Sequence, residues 1–361
     1  MRFIDPSTYA QSWTQPTTTA LTVSGATTTT TSGGYTIYTF TATGNTPVTI
    51  RGRGAADILF VAGGGGAAGL GGGGGAGGYI FRQNVLLQGG TDTNPAAPLN
   101  YVTVGAGGIG PSSNSHGPFG ESGTPSKLVI DGVTVVEAIG GGGGGNWSGY
   151  AADRIQANGL YTGMHTPLSL NPDSPFPSQY GPGHAGGRGG SGGGGSGNPT
   201  NTPGGSAVLG QGHPGGYGHH PNHYKGGGGG GAGEAGGNTS PGWPGHMQHT
   251  AGSGGDGLMS DITGTQIHYA GGGGGANHHP TVHNGAGSRG GGTTGGAHSP
   301  DHGNLAPATG CLPNTGAGAG GGNNPQAQGT GGPGIVVIRV NNNQLPLPAG
   351  LRKFSPTGSS V

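Results

Sequence analysis

Asp57-Ile58-Leu59-Phe60-Val61-Ala62-Gly63-Gly64-Gly65-Gly66 is an apolar run that passes without a break into glycine. The same transition recurs along the chain. The glycine blocks are Gly63–Gly66, Gly71–Gly75, Gly140–Gly145, Gly192–Gly195, Gly226–Gly231 and Gly271–Gly275, and 96 of 361 residues are Gly. Six consecutive glycines have no side chains from which to build a core. If such a run is ordered, its backbone must make the contacts, because buried N–H and C=O groups require partners. The pattern points away from an enzyme and toward a rigid backbone-built scaffold with variable loops.

Composition narrows the class. With 96 Gly and 28 Pro, the content is that of a low-complexity chain. Collagen is excluded because Gly does not recur at every third position. Charged residues are only 7% and the formal net charge is zero, whereas disordered chains are typically rich in charge. Twelve Lys+Arg balance twelve Asp+Glu without a basic run, so nothing favours nucleic acid. One cysteine, Cys311, rules out an intrachain disulfide framework. Met1 to Trp13 lacks a signal-peptide apolar stretch, and no apolar run approaches the roughly 20 residues of a membrane helix. The expectation is a soluble chain that, if it reaches a cell exterior, does so without a Sec signal, by lysis or by delivery on a particle.

Glycine divides the chain into three parts: residues 1–56 with six, 57–340 with 88 and 341–361 with two. The first is a Thr-rich β-module suited to attachment. Its Tyr35-Thr36-Ile37-Tyr38-Thr39-Phe40-Thr41 alternates with period two, and Val48-Thr49-Ile50 is expected to pair with it across the Gly44–Pro47 turn. In the second part, strands are expected at Asp57–Ala62, Tyr79–Phe81 and Tyr101–Val104. Lys127–Ile130 and Val133–Val136 form a hairpin through Asp131-Gly132, and Ile335–Val340 is the strongest strand of the chain. These strands should form one β-structure capping the glycine-rich body, with first and last strands adjacent. The last part is a polar, Pro-containing arm. Gly and Pro punctuate every segment, so no helix is expected.

Ordering glycine carries the largest backbone-entropy cost of any residue. Polyglycine II offers a compensating structure: a left-handed three-residue helix without internal hydrogen bonds, whose outward N–H and C=O groups bond to neighbouring rods. At about 3.1 Å per residue, six glycines span roughly 19 Å. The fold class is therefore mainly β plus irregular structure: a small N-terminal β-module, strands framing a polyglycine II scaffold with long loops, and essentially no α-helix.

Three landmarks carry a resemblance. The first is the Tyr-Thr-Phe-Thr strand region followed by Ile58–Ala62 and polyglycine. The second is Tyr101-Val102-Thr103-Val104-Gly105-Ala106-Gly107-Gly108, then Gly123-Thr124-Pro125-Ser126 and the hairpin into polyglycine. The third is Gly331-Gly332-Pro333-Gly334-Ile335-Val336-Val337-Ile338-Arg339-Val340. Residues 35–340 thus resemble the glycine-rich domain of bacteriophage tail fibres and related virion proteins. The chain is also similar in style to the polyglycine-sandwich tip adhesins of T-even-type long tail fibres, apart from its Thr-rich N-terminal module and its C-terminal arm. The resemblance implies a virion component whose loops touch a host-surface glycan, lipopolysaccharide or outer-membrane protein. It implies further contacts with other tail or fibre proteins through residues 1–56, and possible homo-oligomers. The alternative is a capsid or tail decoration protein without a receptor.

All 15 histidines lie between His116 and His302. Two clusters, His219, His220, His223 and His278, His279, His283, each hold an i, i+4 pair. On a helix that spacing suits zinc, but the flanking glycines oppose a helix and no Cys or Glu lies nearby, so no metal is expected. Aromatics concentrate in the same inter-block segments: Trp147, Tyr161, Phe176, Tyr180, Tyr217, Tyr224 and Trp243. Aromatic and His-rich loops on a rigid frame suit recognition; the plainer reading is that the rings cap glycine rods and the histidines are simply exposed. No catalytic residue or cofactor is expected. Gly120–Lys127 lacks the Gly before Lys that a phosphate loop needs, and Asp173, Asp256, Asp261 and Asp301 have no spaced carboxylate partner.

Overall fold

The computed structural model describes residues 20–67, 69, 71–88, 100–110, 119–146, 185–197, 202–219, 225–239, 250–277, 284–294, 311–322 and 329–343. Among them there are strands and irregular segments and no α-helix. The strands lie at one end of the molecule. Those that enter or leave the glycine segments extend into a lattice of backbone alone.

The larger sheet has the order β2-β3-β13-β6-β7 and is antiparallel throughout: β2 (Thr28–Ser32), β3 (Tyr35–Phe40), β13 (Ile335–Asn341), β6 (Arg53–Val61) and β7 (Tyr79–Gln88). β6 and β13, the first and last of the strands expected in the glycine-rich part, are adjacent as the pattern predicts, but those strands do not form one sheet: Tyr101–Val104, Ser126–Ile130 and Val133–Ala138 belong to a second one. The apolar runs of β6 and β13 are continuous because both faces of the sheet are covered. On one face Phe40, Ile58, Phe60, Val336 and Ile338 pack with Val102, Val104, Leu128 and Ala138. The latter belong to the second sheet, β10-β9-β8-β4: β10 (Val133–Ala138), β9 (Ser126–Ile130), β8 (Tyr101–Val104) and β4 (Gly44–Pro47). On the other face Ile37, Leu59, Val61 and Val337 meet Ile262 and Tyr269, contributed by the hairpin of β11 (Leu258–Ser260) and β12 (Ile267–Tyr269). The predicted hairpin is β9–β10, turned by Asp131 and Gly132 at φ of 50° and 76°.

One expected pairing is corrected. Val48–Ile50 does not pair with Tyr35–Thr41. β5 (Thr49–Arg51) pairs with β1 (Thr22–Ser24), and the supposed turn, Gly44–Pro47, is itself β4. The nearer partner of β3 is β2, because Gly33 and Gly34 take φ of 57° and 82° and close a tight turn. Val48 and Ile50 are instead buried with Leu21 and Val23 in the inter-sheet core. Residue 56, where composition alone divides the chain, falls inside β6, and β3 shares its sheet with β13.

Across the sheet, Arg339 faces Asp57. Its guanidinium donates from Nε and Nη2 to Asp57 Oδ2 at 3.2 and 2.9 Å, and it stacks 4.9 Å over Tyr35. Asp57 Oδ1 accepts from the Asn84 amide at 3.0 Å. A largely buried charge pair is thus held by further hydrogen bonds and a ring, as its desolvation requires.

Beyond the sheets the ladder changes character. In segment 71–78, Gly72 and Gly75 donate to Gly145 and Gly142, and Gly78 to Ile139. Gly73 and Ala76 donate to Gly227 and Gly230, and Gly74 and Gly77 to Ala319 and Gly316. Every third amide returns to the same neighbour, so successive N–H groups point to three different segments. Its carbonyls do likewise. Gly71 and Gly74 accept from Ala276 and Gly273, Gly73 and Ala76 from Gly194 and Ser191, and Gly75 and Gly78 from Gly65 and Ala62. Segment 71–78 is therefore bonded to six others and forms no hydrogen bond within itself. Segments 62–67, 226–231 and 271–276 send their amides outward with the same period of three. A Cβ built on Gly73 would lie within 3 Å of the carbonyls of Gly273 and Gly274, and one on Gly64 would meet Ala317. Glycine is required here by the closeness of other backbones, and none of these residues has a positive φ.

Candidate functional site

The lattice has two distinct ends. At one, its segments continue into β6, β7, β8, β10, β12 and β13. At the other, hydrogen bonds tie together the points where the chain leaves. Gly66 accepts from Gly144, Gly145 bonds Gly194, Gly195 bonds Gly216, Gly226 bonds Ala276, and Ala276 bonds Gly71. Side chains reappear at this far end because there is again room for a Cβ. Asn146, Ser196, Thr202, Lys225 and Asn277 are all buried and polar. The Thr202 hydroxyl donates to the Ser196 carbonyl, and Asn277 Nδ2 donates to Asn284 Oδ1 at 2.7 Å.

Two of the predicted recognition residues are described, and both lie in this layer. Tyr217 is half-buried; its amide donates to Asn238 Oδ1 at 2.8 Å and its carbonyl accepts from Thr239. His219, also half-buried, exchanges backbone hydrogen bonds with Lys225 at 3.0 and 3.3 Å. Lys225 in turn bridges to Asn277. The roots of the two histidine clusters, residues 219/225 and 277/284, are thereby brought side by side, although about 60 residues separate them in sequence. Trp147, Tyr161, Phe176, Tyr180, His220, His223, Tyr224, Trp243, His278, His279 and His283 lie outside the described residues.

Lys225 escaped the sequence reading. It is among the largest fully buried side chains, and burial pushes its pKa down. The signal available was its position as the last residue before Gly226–Gly231, where the first side chain after a glycine segment must sit on the lattice end. Among the described residues there is no group of three His, Cys, Asp or Glu that could hold a metal ion.

Cys311 is half-buried at the residue level, with its sulfur 3.4 Å from the Gly318 carbonyl. Desolvation pushes its thiol up to about 11 from an ordinary 9.0. At pH 8 the thiolate fraction is then about 100-fold below that of the unfolded chain. Native protein should react with a thiol reagent about 100-fold more slowly than protein in guanidinium; equal rates would show that the site is open. Because the folded value is the higher one, the stabilisation is complete below the unfolded value of 9.0 and is lost as pH rises through about 11. Burial raises Tyr79 and Tyr269 as well, so a denaturant titration should show stability falling on the alkaline side of pH 9.

The family comparison agrees with the architecture. A family model described as "Glycine-rich domain" matches residues 38–341, from β3 to the last residue of β13. No curated protein matches the chain. With that match covering the whole lattice, the second sheet and all of the larger sheet except β2 and the start of β3, the chain belongs to the glycine-rich domain family.

Proposed function

We propose that this chain is a structural component of a bacteriophage particle, of tail-fibre or adhesin type, whose scaffold presents loops to a receptor on the host surface. The scaffold is of the polyglycine II kind: a three-residue period and bonds to six neighbours fit that helix, which has no internal hydrogen bonds. The observation that carries the reading is the polarity of the lattice. The roots of both histidine clusters, together with Tyr217, emerge at the end opposite the sheets. The N-terminal strands stand at the sheet end, where they face the rest of the particle. The half-buried Tyr217 and His219, and the aromatic and histidine residues of the sequence segments that follow these roots, suit the hydroxyls and phosphates of a glycan or lipopolysaccharide. A rigid frame fixes the positions of the loop roots, so that less order has to be gained at the roots on binding.

Immunogold labelling of intact phage particles with an antibody to residues 150–330 tests the proposal. Gold at the distal tail is expected. Gold over the head indicates a decoration protein instead, and the absence of label on any particle rejects the virion reading. If gold marks the tail, particles carrying Tyr217→Ala, Tyr224→Ala and Trp243→Ala together should adsorb at least about 10-fold more slowly, since buried aromatics dominate recognition energies. Unchanged adsorption removes receptor binding from the proposal.

A further inference from the structure

Among the described residues the two large sheets have four edge strands, and three of them carry features that discourage pairing with another chain. β7 has Arg82, Asn84 at φ 56° and a register shift opposite Ala56/Ile58. β10 has Glu137 and a register shift between Thr134 and Val136. β4 has four residues, opens on Gly44 at φ 96° and ends on Pro47, which has no amide hydrogen. The fourth, β2, has none of these. Thr28-Thr29-Thr30-Thr31-Ser32 holds an unbroken register with β3, contains no charge, Pro or Gly, and is exposed at all five positions. Exposure on both faces means that β2 projects beyond the layers that bury its neighbours. Its outer row of backbone donors and acceptors is a template for a further strand.

We propose that β2 is a pairing edge for a second copy of this chain, joining two larger sheets into one antiparallel sheet across a two-fold axis. The edge fits itself. Centred on Thr30, the pairing sets Thr28 against Ser32, Thr29 against Thr31 and Thr30 against its own copy, so every cross-strand pair is hydroxyl against hydroxyl. No like charges meet, whereas β7 or β10 would set arginine or glutamate near its own copy. Five residues per copy fall well short of the roughly 1,200 Å² of a stable interface, so the dimer is weak and depends on concentration. The inference stands on the edge alone and does not depend on the virion reading.

Sedimentation velocity of the full chain, from a few micromolar to about 0.5 mM, tests it. The expected result is a reversible shift from monomer toward dimer that is lost in Thr29→Lys/Thr31→Lys, where lysines oppose lysines. Independently, Thr30→Cys in a Cys311→Ser background should oxidise to a disulfide-linked dimer at least 10-fold more readily than Thr134→Cys, placed on the β10 edge. A wild-type chain that stays monomeric throughout, a dimer indifferent to the lysine pair, or equal cross-linking from both cysteines overturns the proposal. A partner strand from another protein also predicts a monomeric pure chain, and so falls under the first of these outcomes.

Discussion

Replacing Gly74 with alanine is expected to cost about 4 kcal/mol or more, a large share of the roughly 5–15 kcal/mol that holds a typical domain folded. The new Cβ would lie within 3 Å of the Gly65 carbonyl and of the Gly66 oxygen. Neither obstacle is a flexible side-chain end. To admit the methyl group, segments 62–67 and 71–78 must separate, and the Gly65 amide then loses its 2.8 Å bond to Gly75. Overpacking a well-packed core costs about 1–3 kcal/mol, and each buried polar group left unpaired adds about 1–3 kcal/mol. The control is Gly44→Ala. Nothing lies within 4 Å of that position, and only its φ of 96° resists a side chain, so about 1 kcal/mol is expected. Denaturant titration of both variants decides the matter by sign as well as size. In a flexible glycine segment, alanine would stabilise by about 0.4–1 kcal/mol through the unfolded chain. A neutral or stabilising Gly74→Ala would mean that segment 71–78 is not packed as described.

The same geometry explains which parts of the fold were legible in the sequence. β6, β13 and the β9–β10 hairpin carry local signals: continuous apolar runs and an Asp-Gly turn. The absence of helix among the described residues follows from Gly and Pro in every segment. The pairing of β3 was misread because Gly44–Pro47 has turn composition, while Gly33-Gly34, an equally good turn, lies on the other side of the strand. Neither local pattern reveals that Val48 and Ile50 are needed in a core between sheets. The lattice was legible only where glycine is unbroken. Segments such as 105–109, 119–124 and 316–321 join it although Ala106, Ser122 and Ala317 interrupt their glycines. A side chain is tolerated wherever it points out of the contact, and which position that is depends on six partners scattered along the chain. The candidate site shows the same limit. Tyr217 and His219 could be named from residue type, but their proximity to Lys225 and Asn277 is a property of backbone bonds spanning the whole lattice.

Hydrogen exchange should place the glycine segments among the most protected parts of the molecule. From Gly72 to Gly78 every amide donates to a carbonyl of another segment at 2.7–3.0 Å, and the glycines of this stretch are buried. Opening one amide locally is not possible without moving a segment. Moving segment 71–78 breaks bonds to 62–67, 139–145, 190–195, 226–231, 271–276 and 316–321 together. Exchange must then proceed through opening of the whole body, with protection set by global stability. For a stability of at least 5 kcal/mol, that is about 10⁴-fold slowing or more. Mass spectrometry on a peptide spanning Phe60 to Phe81 should report the same opening free energy as one containing β13, within about 1 kcal/mol. The Gly33 and Gly34 amides, in an exposed turn, serve as the fast reference. Protection of β13 with rapid exchange in segment 71–78 would separate the sheets from the lattice, and the glycine body would no longer be a single rigid support for its loops. Equal protection would mean that backbone hydrogen bonds alone, with almost no side chains, can extend a hydrophobic core's cooperativity to the far end of the molecule.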